Sequence, residues 1–195
     1  MRIKMDKDNI LMKELIELAN DYGFEVESYD DLKAIKRKIK SLVPVLIKYL
    51  YMFEKKNFKD AIVDLLGVKG FYGATETLIN LYYTNSVTID KWDIGDALYS
   101  IQDKRFEDKY IEIVKDKTNG DSRQMIVILL GKLRLEKAIS ILIELLKDDD
   151  VNGHAIMALG YFKNDELIKH IEPFLHHEKS WIRKETEKAI KKIKS

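Results

Sequence analysis

The chain has no cysteine. A disulfide framework and thiolate metal sites are thereby excluded, and a reducing, cytoplasmic setting is expected. Proline is nearly absent, with only Pro44 and Pro173, and glycine is held to nine of 195 residues. So few breakers favour helix over a turn-rich β fold. Neither sign of charge is in excess, because 34 Lys and Arg face 33 Asp and Glu. Nothing in the composition therefore draws the chain to nucleic acid or an anionic membrane. Long apolar runs are missing too. The first apolar stretch, Ile10 to Ala19, is broken by Lys13, Glu14 and Glu17, unlike a signal peptide or a membrane span. There is no P-loop, Gly-x-Ser-x-Gly elbow, Rossmann fingerprint or His-Glu-x-x-His. The spaced glycines Gly67, Gly70 and Gly73 lie between two helical patterns, which makes them a turn and not a phosphate cradle. No cofactor and no metal are expected.

What is present is an internal repeat. Leu65-Leu66-Gly67, Leu129-Leu130-Gly131 and Ala158-Leu159-Gly160 each close an apolar run, and a second apolar run follows each. Gly67 and Gly131 are 64 residues apart, two units of 32, and Gly160 follows 29 later, while Ala97-Leu98 falls midway across the longer gap. A period near thirty with two helical patterns per unit predicts a solenoid of stacked helix pairs. The pairs are Ala61–Leu66 with Ala74–Tyr82, Ile94–Ile101 with Phe106–Val114, Met125–Leu130 with Ala138–Leu146, and Ala155–Tyr161 with Leu167–Leu175. A last helix, Ile182 to Ile193, matches half a unit, and its lysines suit a polar cap.

Before the repeats, Asp8 or Asn9 is expected to cap a helix with the stripe Ile10, Leu11, Leu15, Leu18, Ala19 and Tyr22, closed by Gly23. Ser28 and Asp31 resemble a capping box, followed by a stripe of Leu32, Ile35 and Ile39. Ser41 is expected to cap a helix running to about Lys55 and buried on two sides, with Pro44 in its first turn. The expected organisation is a three-helix N-terminal cap over 1–57, then four repeats and a half-repeat over 58–195, in one continuous domain.

The third and fourth units resemble HEAT repeats of the short type associated with bilin lyases. The matching residues are Asp121-Ser-Arg123 through Gly131, Asp150-Val151-Asn152 through Gly160, Trp181-Ile182-Arg183 through Ile190, and Leu142 through Asp148. Trp92 to Leu98 and Gly153 to Ile156 also resemble a functionally unassigned bacterial HEAT-repeat group. The resemblance implies an all-α, right-handed α-solenoid with a binding habit and no particular reaction. It also implies an Asp–Arg ladder between repeats, matched by Arg123 and Arg183 and interrupted at Asn152.

Helical spacing buries Ala138, Ile141, Leu142, Leu145 and Leu146 and turns Lys137, Ser140, Glu144 and Lys147 outward. In a HEAT stack these second helices line the concave face. Equivalent positions are Gly73, Glu76, Asn80 and Tyr83; Arg105, Asp108, Glu112 and Lys115; and Glu166, Lys169, Pro173 and His176. Five bases and five acids cancel on this lattice, which suits a protein partner and argues against a polyanion. The partner-binding candidates are Tyr83, Arg105, Asp108, Glu112, Lys137, Glu144 and Lys169.

Repeat-junction candidates are Trp92, Asp93, Arg123, His154, Trp181 and Arg183. The two tryptophans read best as wedges between units, and His154 as a packing residue. His170, His176 and His177 read as solvated histidines, since Pro173 interrupts their helix. Tyr49, Tyr51, Tyr72 and Tyr82 read mostly as core, and Lys33 to Lys40 as a solvated helix face. The expected function is a non-catalytic protein-interaction scaffold. The alternatives are a nucleic-acid-binding relative of the HEAT-like alkylpurine DNA glycosylases, with Trp92 and Asp93 or Trp181 and Arg183 as its working pair, and a bilin-lyase-like role. Oligomeric state is left open.

Overall fold

A computed structural model describes residues 6–84 and 89–195, and all regular structure among them is helical. The chain packs as two compact units, one ending at Ile101 and the other beginning at Gln102.

The first unit contains α1 (Lys7–Asp21), α2 (Tyr29–Ala34), α3 (Val43–Met52), α4 (Lys56–Leu66), α5 (Thr75–Tyr83) and α6 (Lys91–Ile101). Leu11, Leu15 and Ala19 form the buried stripe of α1, while Ile10 and Tyr22 stay exposed. Asp6, and neither Asp8 nor Asn9, occupies the N-cap of α1. Asp8 is instead buried, and its carboxylate accepts the backbone N–H groups of Glu54 and Lys55, at 3.1 and 2.8 Å. A partner that far along the chain leaves no local sequence signal. Gly23 does close α1, in the left-handed conformation.

The Ser28 hydroxyl accepts the Asp31 N–H, and the Asp31 carboxylate accepts the Glu27 N–H, so the capping box forms one residue offset. The stripe beyond it is not one helix, because α2 stops at Ala34. Ser41 caps nothing. A short 3-10 turn, Lys40–Leu42, leads into α3, which places Pro44 in its first turn as expected but ends at Met52. Val43, Leu46, Tyr49 and Leu50 are buried, whereas Tyr51 is 62% exposed. Helix α3 is therefore covered on one broad side and open at Tyr51.

The second unit contains α7 (Glu107–Lys115), α8 (Gln124–Lys132), α9 (Ile139–Leu145), α10 (Asn152–Leu159), α11 (Ile168–Ile171) and α12 (Ser180–Ile193). Leu130, Leu142 and Leu159 lie at 0% exposure and Leu145 at 6%, so the expected register holds across the third and fourth pairs. Pro173 ends α11 early and passes the chain into a 3-10 turn, Glu172–His176.

Three backbone features carry the repeat. The second helix of every pair is entered through a three-residue 3-10 turn, at Tyr72–Ala74, Lys104–Phe106, Glu136–Ala138 and Asp165–Leu167. These starts recur at 32, 32 and 29 residues, the period of the sequence. Gly70, Gln102 and Arg134 recur at 32 and all have positive φ, at 87°, 60° and 52°. The signature glycines are crossing points. A Cβ on Gly131 would come within 2.3 Å of the Ala158 carbonyl oxygen, one on Gly160 within 3.0 Å of Ala189 Cα, and one on Gly67 within 3.2 Å of Ala97 Cα. The Leu-Gly signature is thus a close approach of consecutive first helices: α4 to α6, α8 to α10, and α10 to α12. The second pair has Tyr99 at that register, just before the division between the units.

Candidate interaction surface

The apolar faces of the second helices turn inward, so their opposite faces lie open. In the first unit Gly73, Glu76, Asn80 and Tyr83 of α5 and its entry turn are exposed, with Tyr83 at 44%. In the second unit Arg105, Asp108, Glu112 and Lys115 are exposed around α7. So are Lys137, Ser140, Glu144 and Lys147 around α9, and Glu166, Lys169, Pro173 and His176 around α11. Every stripe position deduced from the spacing reaches solvent.

The charges of the second unit are not a free lattice. Arg105 grips the buried Asp103 carboxylate through Nε and one terminal nitrogen, at 2.9 and 2.7 Å. Lys109 pairs with Glu112 at 2.8 Å. Lys137 reaches from the α9 entry turn to Glu107 and Asp108, at 2.5 and 2.6 Å, and both carboxylates raise its pKa. Only the Lys137 pairs, among these contacts, join one second helix to the next. Farther along, Lys115, Lys117, Ile141, Glu144, Leu145, Lys147 and Asp148 line a cleft of about 160 Å³.

A larger cleft, about 400 Å³, opens in the first unit. On one bank Asp64 collects Lys36 at 2.8 Å, Lys33 at 3.2 Å and the Tyr29 hydroxyl at 3.1 Å. Burial opposes ionisation of Asp64, but Lys36 and Lys33 hold its pKa below the usual carboxylate value. Burial and Asp64 push the Tyr29 phenol upward. On the other bank burial, with Asp60 and Asp90 nearby, raises the Asp93 carboxyl against the pull of Lys56. Asp60 pairs with Lys56 at 2.7 Å, and its other oxygen is buried with no hydrogen bond among the described residues. Among the described residues no group of His, Asp and Glu has metal-binding geometry. Lys33 and Lys36 of the basic run are tied into this ion-pair cluster, while Arg37, Lys38 and Lys40 are exposed beyond the end of α2. Only Asp93 of this cleft was legible as a candidate. Asp60 and Asp64 sit on α4 as ordinary polar positions, and no spacing couples them to α2.

The junction candidates divide. Arg123 is fully buried; it donates to the carbonyls of Gly120 at 2.7 Å and Val114 at 3.1 Å and to Asp148 at 3.0 Å, with Asp150 at 3.7 Å. Arg183 donates to the carbonyls of His177 and Glu178 and, among the described residues, pairs with no carboxylate. Asn152 makes local bonds, to Asp149 and to the Gly153 N–H. Trp181, 43% exposed, lies on Gly153, where an added Cβ would meet its ring at 2.0 Å, and its centroid is 5.7 Å from that of His154. Burial lowers the His154 pKa despite the opposing field of Glu185, and among the described residues its Nδ1 has no hydrogen-bond partner. Trp92, 40% exposed, donates its backbone N–H to Asp90 at 2.9 Å. His177 stacks on Phe174. Of the five clustered tyrosines, Tyr49 and Tyr82 are core, while Tyr51, Tyr72 and Tyr83 are exposed, against the expectation that most would be buried. No described helix is long and apolar enough to cross a membrane.

No family model matches the chain, and no curated protein does. Several solved structures are similar in fold, and two of them show how far the likeness goes. One is an engineered protein, with a TM-score of 0.57 and 15% identity over 98% of this chain and 93% of that one. The other is a designed armadillo repeat protein, with a TM-score of 0.51 and 13% identity over 93% of this chain and 99% of that one. At such identities the likeness concerns fold alone: the chain is an α-solenoid of helical repeats.

Proposed function

We propose that the chain is a non-catalytic protein-interaction scaffold of HEAT type that binds another protein through the outward faces of its second helices. In this reading residues 1–57 cap the repeats of 58–195 in one continuous domain. The partner contacts are Tyr83 in the first unit and Arg105, Asp108, Glu112, Lys137, Glu144 and Lys169 in the second. One observation carries the reading: every outward position of four successive second helices is exposed, while each helix with its entry turn buries a core on the other side, Leu78 and Tyr82, Tyr110 and Ile113, Ala138 and Leu142, and Leu167 and Ile171. Each unit leaves the outward faces of its second helices open; the first supplies an anchor, Tyr83, and the second supplies charges to orient a partner. The neutral balance of these positions favours protein over nucleic acid. Among the described residues no side-chain constellation favours a glycosylase-like or bilin-lyase-like activity.

The test is affinity capture from the native host with wild type, Tyr83→Ala and Glu112→Lys, alongside thermal melting. The expected outcome is loss of a specific partner in the variants at an unchanged midpoint. Equal capture by all three folded proteins rejects this face and points to the junction residues Trp92, Asp93, His154 and Trp181.

A further inference from the structure

The outward face of the second unit has an uneven distribution of paired charge, and that unevenness selects a partner chemistry. At one end Arg105 is held by Asp103, Lys109 by Glu112, and Lys137 by Glu107 and Asp108. At the other end Lys115, Lys117 and Lys147 rim the small cleft without an ion pair among the described residues. Glu144 is the one unpaired acid of that lining, since Asp148 is engaged by Arg123. Asp116, between two of the lysines in sequence, turns its carboxylate onto the Thr118 N–H and hydroxyl, at 3.0 and 2.7 Å. Beneath the lysines Ile141 and Leu145 keep 9% and 6% of their surface exposed, while Leu142 beside them keeps none. The cleft thus has an apolar floor and a cationic rim.

Its size narrows the occupant. About 160 Å³ is below the roughly 300–1,000 Å³ of small-molecule pockets, so the cleft suits one side chain of a larger partner. Nucleic acid fits poorly. Three lysines give few phosphate contacts, Glu144 opposes them, and an apolar floor offers nothing to a sugar–phosphate chain.

We propose that the cleft between α7 and α9 docks an acidic segment of a protein partner, with an aliphatic side chain on Ile141 and Leu145 and flanking carboxylates on Lys115, Lys117 and Lys147. This assignment rests on the second-helix face being the docking surface and adds the chemistry of what docks there. Apolar burial supplies the affinity, and the rim sets direction and rejects basic segments.

The experiment uses isotope-labelled full chain and a blocked pentapeptide with leucine between pairs of glutamates, followed by amide shifts in NMR. Saturable shifts are expected at Lys115, Ile141, Glu144, Leu145 and Lys147. The double variant Lys115→Glu with Lys147→Glu should weaken binding about tenfold or more at an unchanged melting midpoint, and Glu144→Gln should strengthen it. Replacing the leucine by alanine should also weaken it. No saturable shift at these amides, or equal binding by the leucine peptide flanked by lysines, overturns the proposal. Tighter binding of a short DNA duplex to the same amides overturns it as well. Shifts there from the lysine peptide alone refute the acidic assignment and leave the face as a docking surface. Failure of the face itself shows separately, as partner capture indifferent to Tyr83→Ala and Glu112→Lys.

Discussion

Arg123 shows what one residue does in this architecture. A guanidinium at 0% exposure survives burial because two carbonyls and the Asp148 carboxylate satisfy it. Asp148 is close and mostly covered, with 12% side-chain exposure, whereas Asp150 is distant and 55% exposed. Asp148→Asn removes a charged partner from a buried cation and should cost about 1.5–3 kcal/mol. Asp150→Asn should stay within about 0.5 kcal/mol of wild type. Urea denaturation of both variants checks the pair, and equal losses would mean that the two carboxylates share the ladder. The Asp–Arg pattern pointed to Arg123, but the close partner is Asp148 and not the motif residue Asp150, and Arg183, the other arginine of the expected ladder, donates to the carbonyls of His177 and Glu178. Asp8 and Asp64 were illegible as structural residues, since their partners lie 28 to 47 residues away and no periodicity points to them.

Among elements, the helix pairs were readable because each buries a periodic apolar face. The boundaries that failed were set by other physics. Helix α2 ends at Ala34 although its stripe continues, and α3 begins through a 3-10 turn with no side-chain cap. Glycine marks only the first of the left-handed positions Gly70, Gln102 and Arg134, so two of three equivalent turns are invisible in the residue types. The crossing glycines give a graded prediction. Gly131→Ala sets a methyl against backbone that cannot yield, so it should cost about 1–3 kcal/mol even after a gain in helix propensity. Gly160→Ala should cost less. Gly67→Ala should be near neutral, since Ala97 needs to give only a few tenths of an ångström. The order of denaturation midpoints is the measurement. A Gly131→Ala protein as stable as Gly67→Ala would mean that the helices part at no cost and the signature has another origin.

For the whole molecule the decisive quantity is charge, because it separates the protein-binding reading from the nucleic-acid alternative. The net charge is +1, and the internal ion pairs consume many of the bases that would otherwise meet phosphates. Counterion release needs cations that are free in the unbound protein, since a lysine already held by a carboxylate gains little by exchanging it for a phosphate. Lys33, Lys36, Lys56, Arg105, Lys109 and Lys137 are all held in this way. Duplex DNA should therefore bind no better than ordinary non-specific association, with a Kd of about 10⁻⁴–10⁻⁶ M at physiological salt. The slope of log affinity against log salt should reflect about three phosphate contacts or fewer. Trp92 with Asp93, and Trp181 with Arg183, should release no methylated base from alkylated DNA, because Arg183 is spent on backbone carbonyls and Trp181 lies on Gly153. Titration of labelled duplex over a range of salt, with a base-release assay on the same sample, checks both halves. Nanomolar binding with a steep salt slope, or measurable base release, would place the nucleic-acid reading ahead of the scaffold.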